Sequence, residues 1–233
     1  MPLSEEKVLP YHIGFIVDGN RRWAREKGLP TFIGHKKGTE RIDEIIEYAQ
    51  YLGIKIVTIY AFSTENYKRG KKEISYLMKL FEDFIINKIK EIHNRDAKVQ
   101  ILGNLQRLPG SLQKVLENAI EITENNKKMI INVAINYGGR DELIRTFKKL
   151  VISKIEPEEI TEKLINQNLD TKGLPDPDLI IRTSGESRLS NFLPWQGVYS
   201  ELYFSEVYWP DFNKKQLDIA IKEFQKRQRK LGQ

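Results

Sequence analysis

One short segment of the chain places an acid, a glycine, an amide and two arginines directly after an apolar run. The run HIGFIV occupies residues 12–17, and the polar residues that follow it are Asp18, Gly19, Asn20, Arg21 and Arg22. Such a junction is typical of a buried parallel strand, whose carboxyl end lies where open α/β sheets bind ligands. A helix that begins at Arg21 directs free backbone N–H groups to the same place. This chemistry suits a polyphosphate that carries a metal ion, whereas capping by Asp18 or Asn20 would explain the same residues without a ligand.

Polar residues also gather after two other strand-like runs. Residues 61–70 read AFSTENYKRG and carry Ser63, Thr64, Glu65, Asn66 and Arg69, and residues 182–191 read RTSGESRLSN and carry Arg182, Ser184, Arg188, Ser190 and Asn191. Because the carboxyl ends of parallel strands meet at one edge of a sheet, we expect both groups to share a cleft with Asp18. Arginine forks and serine hydroxyls match phosphate oxygens, so the expected ligand is a diphosphate. Asp18 is then a candidate Mg²⁺ ligand, and Glu201 is a candidate second carboxylate.

Hydrophobic periodicity predicts the elements that position these loops. Helices are predicted up to Gly53, over 71–94, from 111 to about 124 and from 141 to about 152. Apolar runs with the composition of strands occupy 12–17, 54–62, 98–104, 128–137, 178–185 and 202–209. This alternation predicts an α/β fold: one domain over 1–233 with a mostly parallel central sheet of about six strands flanked by helices.

Composition and the absence of certain motifs exclude several classes of function. The 233 residues carry a net charge of +6, which favours anionic partners, and contain no cysteine, which excludes disulfides and thiolate metal sites. The N-terminus lacks the apolar region of a signal peptide, and no apolar run is long enough to span a bilayer, so a cytoplasmic protein is expected. Neither a P-loop nor a dinucleotide fingerprint is present. The arginines gather at strand ends rather than along a face, which disfavours the alternative of a nucleic-acid-binding protein.

Several unusual motifs occur in order between His12 and Phe212. They are HIGFIVDGNRRWA, GHKKG, YAFSTENYKR, NYGGR and the long segment that starts at LPDPDLIIRTSGESRLSNF and ends at WPDF. Together they resemble the cis-prenyltransferase family, whose best-known members are undecaprenyl diphosphate synthases. The resemblance implies that an allylic diphosphate, farnesyl or geranylgeranyl diphosphate, is condensed head-to-tail with isopentenyl diphosphate units. It also implies Mg²⁺ dependence, a hydrophobic tunnel for a long polyprenyl product and a homodimer.

The resemblance also implies roles for individual residues. Asp18 matches the essential aspartate and magnesium ligand, and Asn66 matches the asparagine often assigned to proton removal, although a carboxamide is a poor base and orientation is the better-founded role. The allylic diphosphate would be surrounded by Gly19, Asn20, Arg21, Arg22, Trp23 and His35. The substrate-contacting loop would contain Ser63, Thr64, Glu65, Tyr67 and Arg69. Isopentenyl diphosphate would be held by Arg182, Arg188, Leu189 and Ser190, and Glu201 would be the second metal carboxylate, close to the dimer interface.

Two positions depart from the family pattern. Thr31 stands where many members have an arginine, and Tyr67 replaces a common tryptophan, so the choice of allylic substrate stays open. Some relatives are noncatalytic subunits of a complex, but such subunits usually lose site residues that this chain retains. The insoluble product makes peripheral membrane contact an expectation as well, although the sequence has no clear amphipathic anchor.

Overall fold

A computed structural model describes residues 8–227, and within that range the strands form one six-stranded sheet. The strand order is β3-β4-β2-β1-β5-β6, and every neighbouring pair is parallel. The strands are β1 His12–Ile16, β2 Ile56–Ser63, β3 Ala97–Leu102, β4 Met129–Tyr137, β5 Leu179–Arg182 and β6 Glu201–Phe204. The predicted α/β class and strand number are confirmed, and the sheet is entirely parallel. Residues 1–7 and 228–233, at the two ends of the predicted domain, lie outside the described residues. The N-terminal segment in which the sequence shows no signal-peptide apolar region lies mostly within residues 1–7.

Seven α-helices connect or flank the strands in the described part of the chain. They are α1 Asn20–Glu26, α2 Thr31–Leu52, α3 Lys71–Asn94, α4 Gly110–Thr123, α5 Gly139–Ile152, α6 Glu162–Asn166 and α7 Lys214–Lys226. The predicted bounds of α3 hold to the residue because its apolar face repeats over six turns between polar ends. The predicted end of α2 also holds, because Gly53 adopts the left-handed conformation at φ 94° that stops a helix.

The central strands are apolar because the sheet is covered on both faces. All five residues of β1 and all four of β5 are buried, as expected for strands in the middle of a parallel sheet. On the first face, Ile13 and Phe15 pack with residues of α2, α3, α4 and α7. On the second face, Ile16 packs with Phe192 and Leu193 from the segment between β5 and β6.

The order of the strands determines where a ligand can bind. β1 lies between β2 and β5, so the loops that follow these three strands meet at the carboxyl edge of the sheet. The connection after β1 lies on the first face of the sheet and the connection after its neighbour β5 lies on the second face, which makes this edge a topological switch point. No helix among residues 8–227 is long and apolar enough to cross a membrane.

Candidate active site

A cleft of about 720 Å³ opens at the carboxyl edge of β1, β2 and β5. Its walls come from segments far apart in sequence, which the parallel sheet brings together. The sequence-predicted residues that line it are Asp18, Gly19, Asn20, Arg21, Arg22, His35, Ser63, Glu65, Asn66, Arg69, Arg182 and Ser190. The three polar strand ends therefore form one site, with a carboxylate near its centre and arginines on several sides.

Asp18 is held by groups from the turn and helix after β1 and from the end of β5. Its Oδ1 accepts the Gly19 N–H at 2.7 Å, and its Oδ2 accepts Nη2 of Arg182 at 2.9 Å, with Nη2 of Arg22 at 3.3 Å. Burial by itself would raise the pKa of Asp18, but the hydrogen bond and charge of Arg182 outweigh it and hold that pKa below its usual range. The site therefore contains a carboxylate that is ionised at neutral pH and lies between two guanidinium groups.

The turn after β1 depends on a glycine. Gly19 adopts φ 101°, in the left-handed region that side chains disfavour, and a Cβ there would lie 2.6 Å from the Tyr208 ring and 2.8 Å from Cβ of Ser184. The close approach lets Arg22 donate to Ser184 Oγ at 2.5 Å and to Glu186 Oε1 at 2.9 Å. The glycine thus allows the loops after β1 and β5 to touch.

The loop after β5 positions a second group of donors. Arg182 is 4% exposed, and its Nη1 donates to Ser190 Oγ at 2.7 Å and to the carbonyl oxygen of Arg188. Its Nε is buried and has no hydrogen-bond partner in the described part of the chain. Ser190 has φ 49°, so its backbone is strained into the orientation that brings its hydroxyl to Arg182.

One wall of the cleft contains three basic residues around Glu73. Oε1 of this carboxylate lies 3.2 Å from Nε2 of His35, 3.3 Å from Nη1 of Arg69 and 3.9 Å from Nε of Arg21. Burial lowers the pKa of His35, and the charges of Arg69 and Arg21 lower it further, against the opposing effect of Glu73. His35 is therefore a neutral imidazole at pH 7, and the arginines supply the positive charge.

The loop after β2 begins with a local capping arrangement. The Glu65 N–H donates to Ser63 Oγ at 3.1 Å, and the Ser63 N–H donates to Asn66 Oδ1 at 3.1 Å. Asn191 connects this loop to the one after β5 by donating from Nδ2 to Glu65 Oε1 at 2.8 Å. The carboxamide of Asn66 is thus oriented by the backbone at the cleft wall.

The donor set fits a magnesium ion that is shared with a substrate. No group of three or more histidine, aspartate or glutamate side chains converges among the described residues. Mg²⁺ is commonly bound through one or two carboxylates, several waters and the oxygens of a substrate phosphate. Asp18 provides a hard, ionised oxygen ligand that is one-third exposed to the cleft. It is the residue here that would hold such an ion.

An apolar cavity continues from the cleft between the sheet and helices α2 and α3. Four residues line both spaces: Thr39, Ile42, Ala61 and Phe81. The remaining lining is almost entirely aliphatic and aromatic, and it includes Phe84, Ile85, Ile89, Ile92, Val99, Ile131 and Val133. Arg95 and Asp43 also line this cavity, and their Nη2 and Oδ1 are 2.9 Å apart. This cavity has a volume of about 60 Å³, so it is a small apolar pocket at the position where the resemblance implies a channel.

Several predicted site residues are not part of the cleft lining. Trp23 is buried in the packing of α1, because its indole lies on the protein side of the helix. Thr64 and Tyr67 lie on the 3-10 turn after β2 and point to Glu65 and Arg107. Leu189 packs against the core of the second sheet face, and Arg188 is exposed at the rim, where it pairs with Glu186 at 2.5 Å.

Glu201 lies away from Asp18, so the two carboxylates do not meet within one copy of the chain, and its role as a second metal carboxylate near a dimer interface stays a prediction. In the parallel register, Glu201 is level with Leu179 at the start of β5, whereas Arg182 is at its end. Three residues along a strand separate the two levels by roughly 10 Å. Glu201 Oε2 instead accepts Nη1 of Arg227 at 2.7 Å.

Sequence reasoning missed several residues of the site. Glu73 follows Arg69 by four residues at the start of α3, a spacing that could have indicated an ion pair. Gly34 and Gly38 of the GHKKG motif share one face of α2, where a Cβ on either would collide with Asn20. These glycines let α2 approach the start of α1 closely.

The sequence profile of a family described as putative undecaprenyl diphosphate synthase matches residues 16–232. Among curated proteins, an isoprenyl transferase of Clostridium perfringens is 47% identical over 234 residues, which cover 99% of this chain and 92% of the relative. An isoprenyl transferase of Streptococcus pneumoniae is 47% identical over 232 residues, with 96% and 92% coverage.

Two solved structures are also similar. Lavandulyl diphosphate synthase from Lavandula x intermedia, in complex with dimethylallyl diphosphate, has a TM-score of 0.94 and 36% identity, covering 98% of this chain and 100% of that chain. A probable undecaprenyl diphosphate synthase from Campylobacter jejuni has a TM-score of 0.80 and 32% identity, with 96% and 99% coverage.

Proposed function

The chain belongs to the undecaprenyl diphosphate synthase family of prenyltransferases, and from this premise we propose that it elongates an allylic diphosphate with isopentenyl diphosphate units to a long-chain polyprenyl diphosphate. The primer is farnesyl or geranylgeranyl diphosphate, and the new double bonds are cis. The observation that carries this proposal is the ionised Asp18 between Arg22 and Arg182, in a cleft that continues into an apolar cavity.

The arginines support two diphosphate subsites. Arg21 and Arg69 lie on the wall formed by α1 and α3, near His35. Arg182 and Ser190 lie on the opposite side, after β5. We assign the first group, with the N–H groups at the start of α1, to the allylic diphosphate, because that side opens into the channel. The second group is assigned to isopentenyl diphosphate.

This arrangement stabilises the charge that grows on a departing diphosphate. When the allylic carbon–oxygen bond breaks, fixed guanidinium donors meet that charge without reorganisation. Asp18 would hold Mg²⁺, which when bound neutralises phosphate oxygens. Asn66, fixed by the Ser63 backbone, orients the reacting isopentenyl group, and a diphosphate oxygen is the better proton acceptor.

The apolar channel accounts for elongation. Each methylene that leaves water contributes roughly 0.8 kcal/mol, so a growing chain gains free energy by entering the space between α2, α3 and the sheet. Release of such a product requires an apolar acceptor, and we include peripheral contact with a lipid surface in the proposal.

We also propose that two copies of the chain form the active unit. β6 is an edge strand, and the nearby Val198 and Tyr199 are 66% and 75% exposed. Helix α5 exposes Phe147 and Val151 as well. A second copy that covers these apolar groups would also provide the position from which Glu201 could approach a metal. Sedimentation analysis of the wild type tests this part.

A short-chain product is the second candidate, because the lavandulyl diphosphate synthase has the same fold over the full chain. We favour a long product because the lining beyond Phe81 is almost entirely apolar and would bury a chain that grows past the primer. One assay separates the candidates: labelled isopentenyl diphosphate is incubated with farnesyl, geranylgeranyl or dimethylallyl diphosphate and MgCl₂, and the extracted products are separated by length. Incorporation that stops after chelation by EDTA and returns with Mg²⁺ supports the metal assignment, and no incorporation with any primer contradicts the proposed function.

A further inference from the structure

A buried polar cluster on the second sheet face has no part in the chemistry described above. Glu142, in the first turn of α5, is 1% exposed. Its Oε2 accepts the Tyr137 hydroxyl at 2.7 Å and Nε2 of Gln196 at 3.1 Å, and its Oε1 accepts the Asp170 N–H at 2.8 Å. Burial raises the pKa of Glu142 despite these donors. An acid buried this deeply costs stability when it ionises, so packing alone does not account for its presence here.

The cluster lies directly beneath the loop that carries Ser190. The Phe192 ring stacks on Tyr60 with centroids 4.8 Å apart, and its other neighbour is the edge of Tyr137 at 6.5 Å. The Tyr60 hydroxyl lies 3.4 Å from the carbonyl oxygen of Ser190 and 3.3 Å from that of Tyr137. One layer of packed rings thus connects the buried cluster to the backbone of Ser190.

The loop needs such support because its backbone is strained. Ser190, Asn191 and Leu193 have φ values of 49°, 67° and 46°, in the left-handed region. Non-glycine residues keep this conformation only where their surroundings impose it. The start of α5 holds the loop from one side: the Gly139 N–H donates to the Asn191 carbonyl at 2.8 Å, and the Arg140 N–H donates to its side-chain Oδ1 at 2.9 Å.

We propose that Glu142 is a positioning residue for the half of the site assigned to isopentenyl diphosphate, an inference that rests on the proposed function. Its carboxylate fixes Tyr137 and Gln196. These two side chains hold the loop in the strained conformation in which Ser190 Oγ accepts Nη1 of Arg182. Glu142 itself touches no substrate.

The test compares steady-state kinetics of the wild type with Glu142→Leu, which keeps the volume but removes both acceptors, and with Tyr137→Phe, which removes one donor. We expect the KM for isopentenyl diphosphate to rise about tenfold, the effect of one lost buried hydrogen bond. The kcat and the KM for the allylic substrate should stay within about twofold. Glu142→Gln should restore most of the wild-type KM, because the Gln196 carboxamide can turn over so that its Oε1, which has no partner among residues 8–227, accepts the new amide.

A matched control is Glu117→Leu, an exposed acid on α4. Hydrogen–deuterium exchange of residues 188–193 in the free protein is the second readout, and it needs no substrate. Faster exchange in Glu142→Leu than in Glu117→Leu supports the inference. The inference is overturned if residues 188–193 of Glu142→Leu exchange at the wild-type rate. It is also overturned if this variant has a lower melting temperature but an unchanged KM. Absence of activity in the wild type contradicts the proposed function instead and leaves the exchange measurement to test the role of Glu142.

Discussion

Arg182 donates from Nη2 to Oδ2 of Asp18 at 2.9 Å and so joins the carboxyl ends of β5 and β1 across the centre of the cleft. The guanidinium is almost completely buried, whereas the carboxylate is one-third exposed. The Asp18 carboxylate therefore has free lone pairs for a metal ion on the side where substrate oxygens would arrive, and the buried Arg182 guanidinium cannot turn away.

Substitution of Asp18 should affect activity far more than stability. We expect Asp18→Asn to lower isopentenyl incorporation by about 100-fold or more, because a neutral amide is a much weaker ligand for the Mg²⁺ that would neutralise leaving-group charge. The free energy of unfolding should fall by about 1–2 kcal/mol, since Arg182 loses its anion at a partly solvated site. Urea unfolding and the incorporation assay measure the two effects, with the exposed Asp211→Asn as control. A variant that keeps a tenth of the activity would refute the role of Asp18.

The glycine at position 38 should be required for the approach of α2 to α1. In Gly38→Ala, the new Cβ meets the side-chain amide of Asn20, with Cγ at 2.8 Å. Overpacking of this kind typically costs about 1–3 kcal/mol, and the shifted start of α1 should raise the KM for the allylic substrate. Gly110→Ala is the matched control, because a Cβ there has nothing within 4 Å. Equal melting temperatures of the two variants would contradict this reading.

Product length should depend on the ion pair in the lining of the apolar cavity. A further five-carbon unit gains roughly 4 kcal/mol on burial, and separating Arg95 from Asp43 costs a similar amount, about 3–5 kcal/mol. We expect Arg95→Leu to shift the products to longer chains with similar total incorporation. Lys90→Leu, on the solvent side of the same helix, should leave the length distribution unchanged. Identical chromatograms for Arg95→Leu and the wild type would show that the channel ends elsewhere.

Acidification should destabilise the protein in part through His35. Burial lowers the pKa of His35 in the folded state, so the unfolded state binds the proton more readily. The stabilisation is fully present above the ordinary pKa of 6.5 and is lost as the pH falls below that value. Urea unfolding at pH 7.5 and about 5.5 should therefore show a smaller loss for His35→Gln than for the wild type. Burial also lowers the pKa of His12, but this residue is present in both proteins, so its effect cancels in the comparison. Parallel losses in the two proteins would exclude this role.

Local sequence determined the elements and their order. The apolar periodicity of Lys71–Asn94 specifies α3 to the residue, and the apolar composition of β1 specifies a strand covered on both faces. Since a parallel sheet collects the carboxyl ends of its strands on one edge, the polar residues after β1, β2 and β5 could be expected in one cleft from sequence alone.

Only the tertiary structure decided which side chains face that cleft and which partners they have. Trp23 lies in a motif with Asp18 but turns into the core, and Glu201 follows the loop of Ser190 but starts an edge strand at the other end of the sheet. Glu142 and Gln196 are 54 residues apart, and no periodicity links them. The hydrophobic pattern along a chain indicates which face of a helix or strand a residue occupies. Contacts between distant residues depend on strand register, loop path and packing, which are determined only when all the elements are assembled.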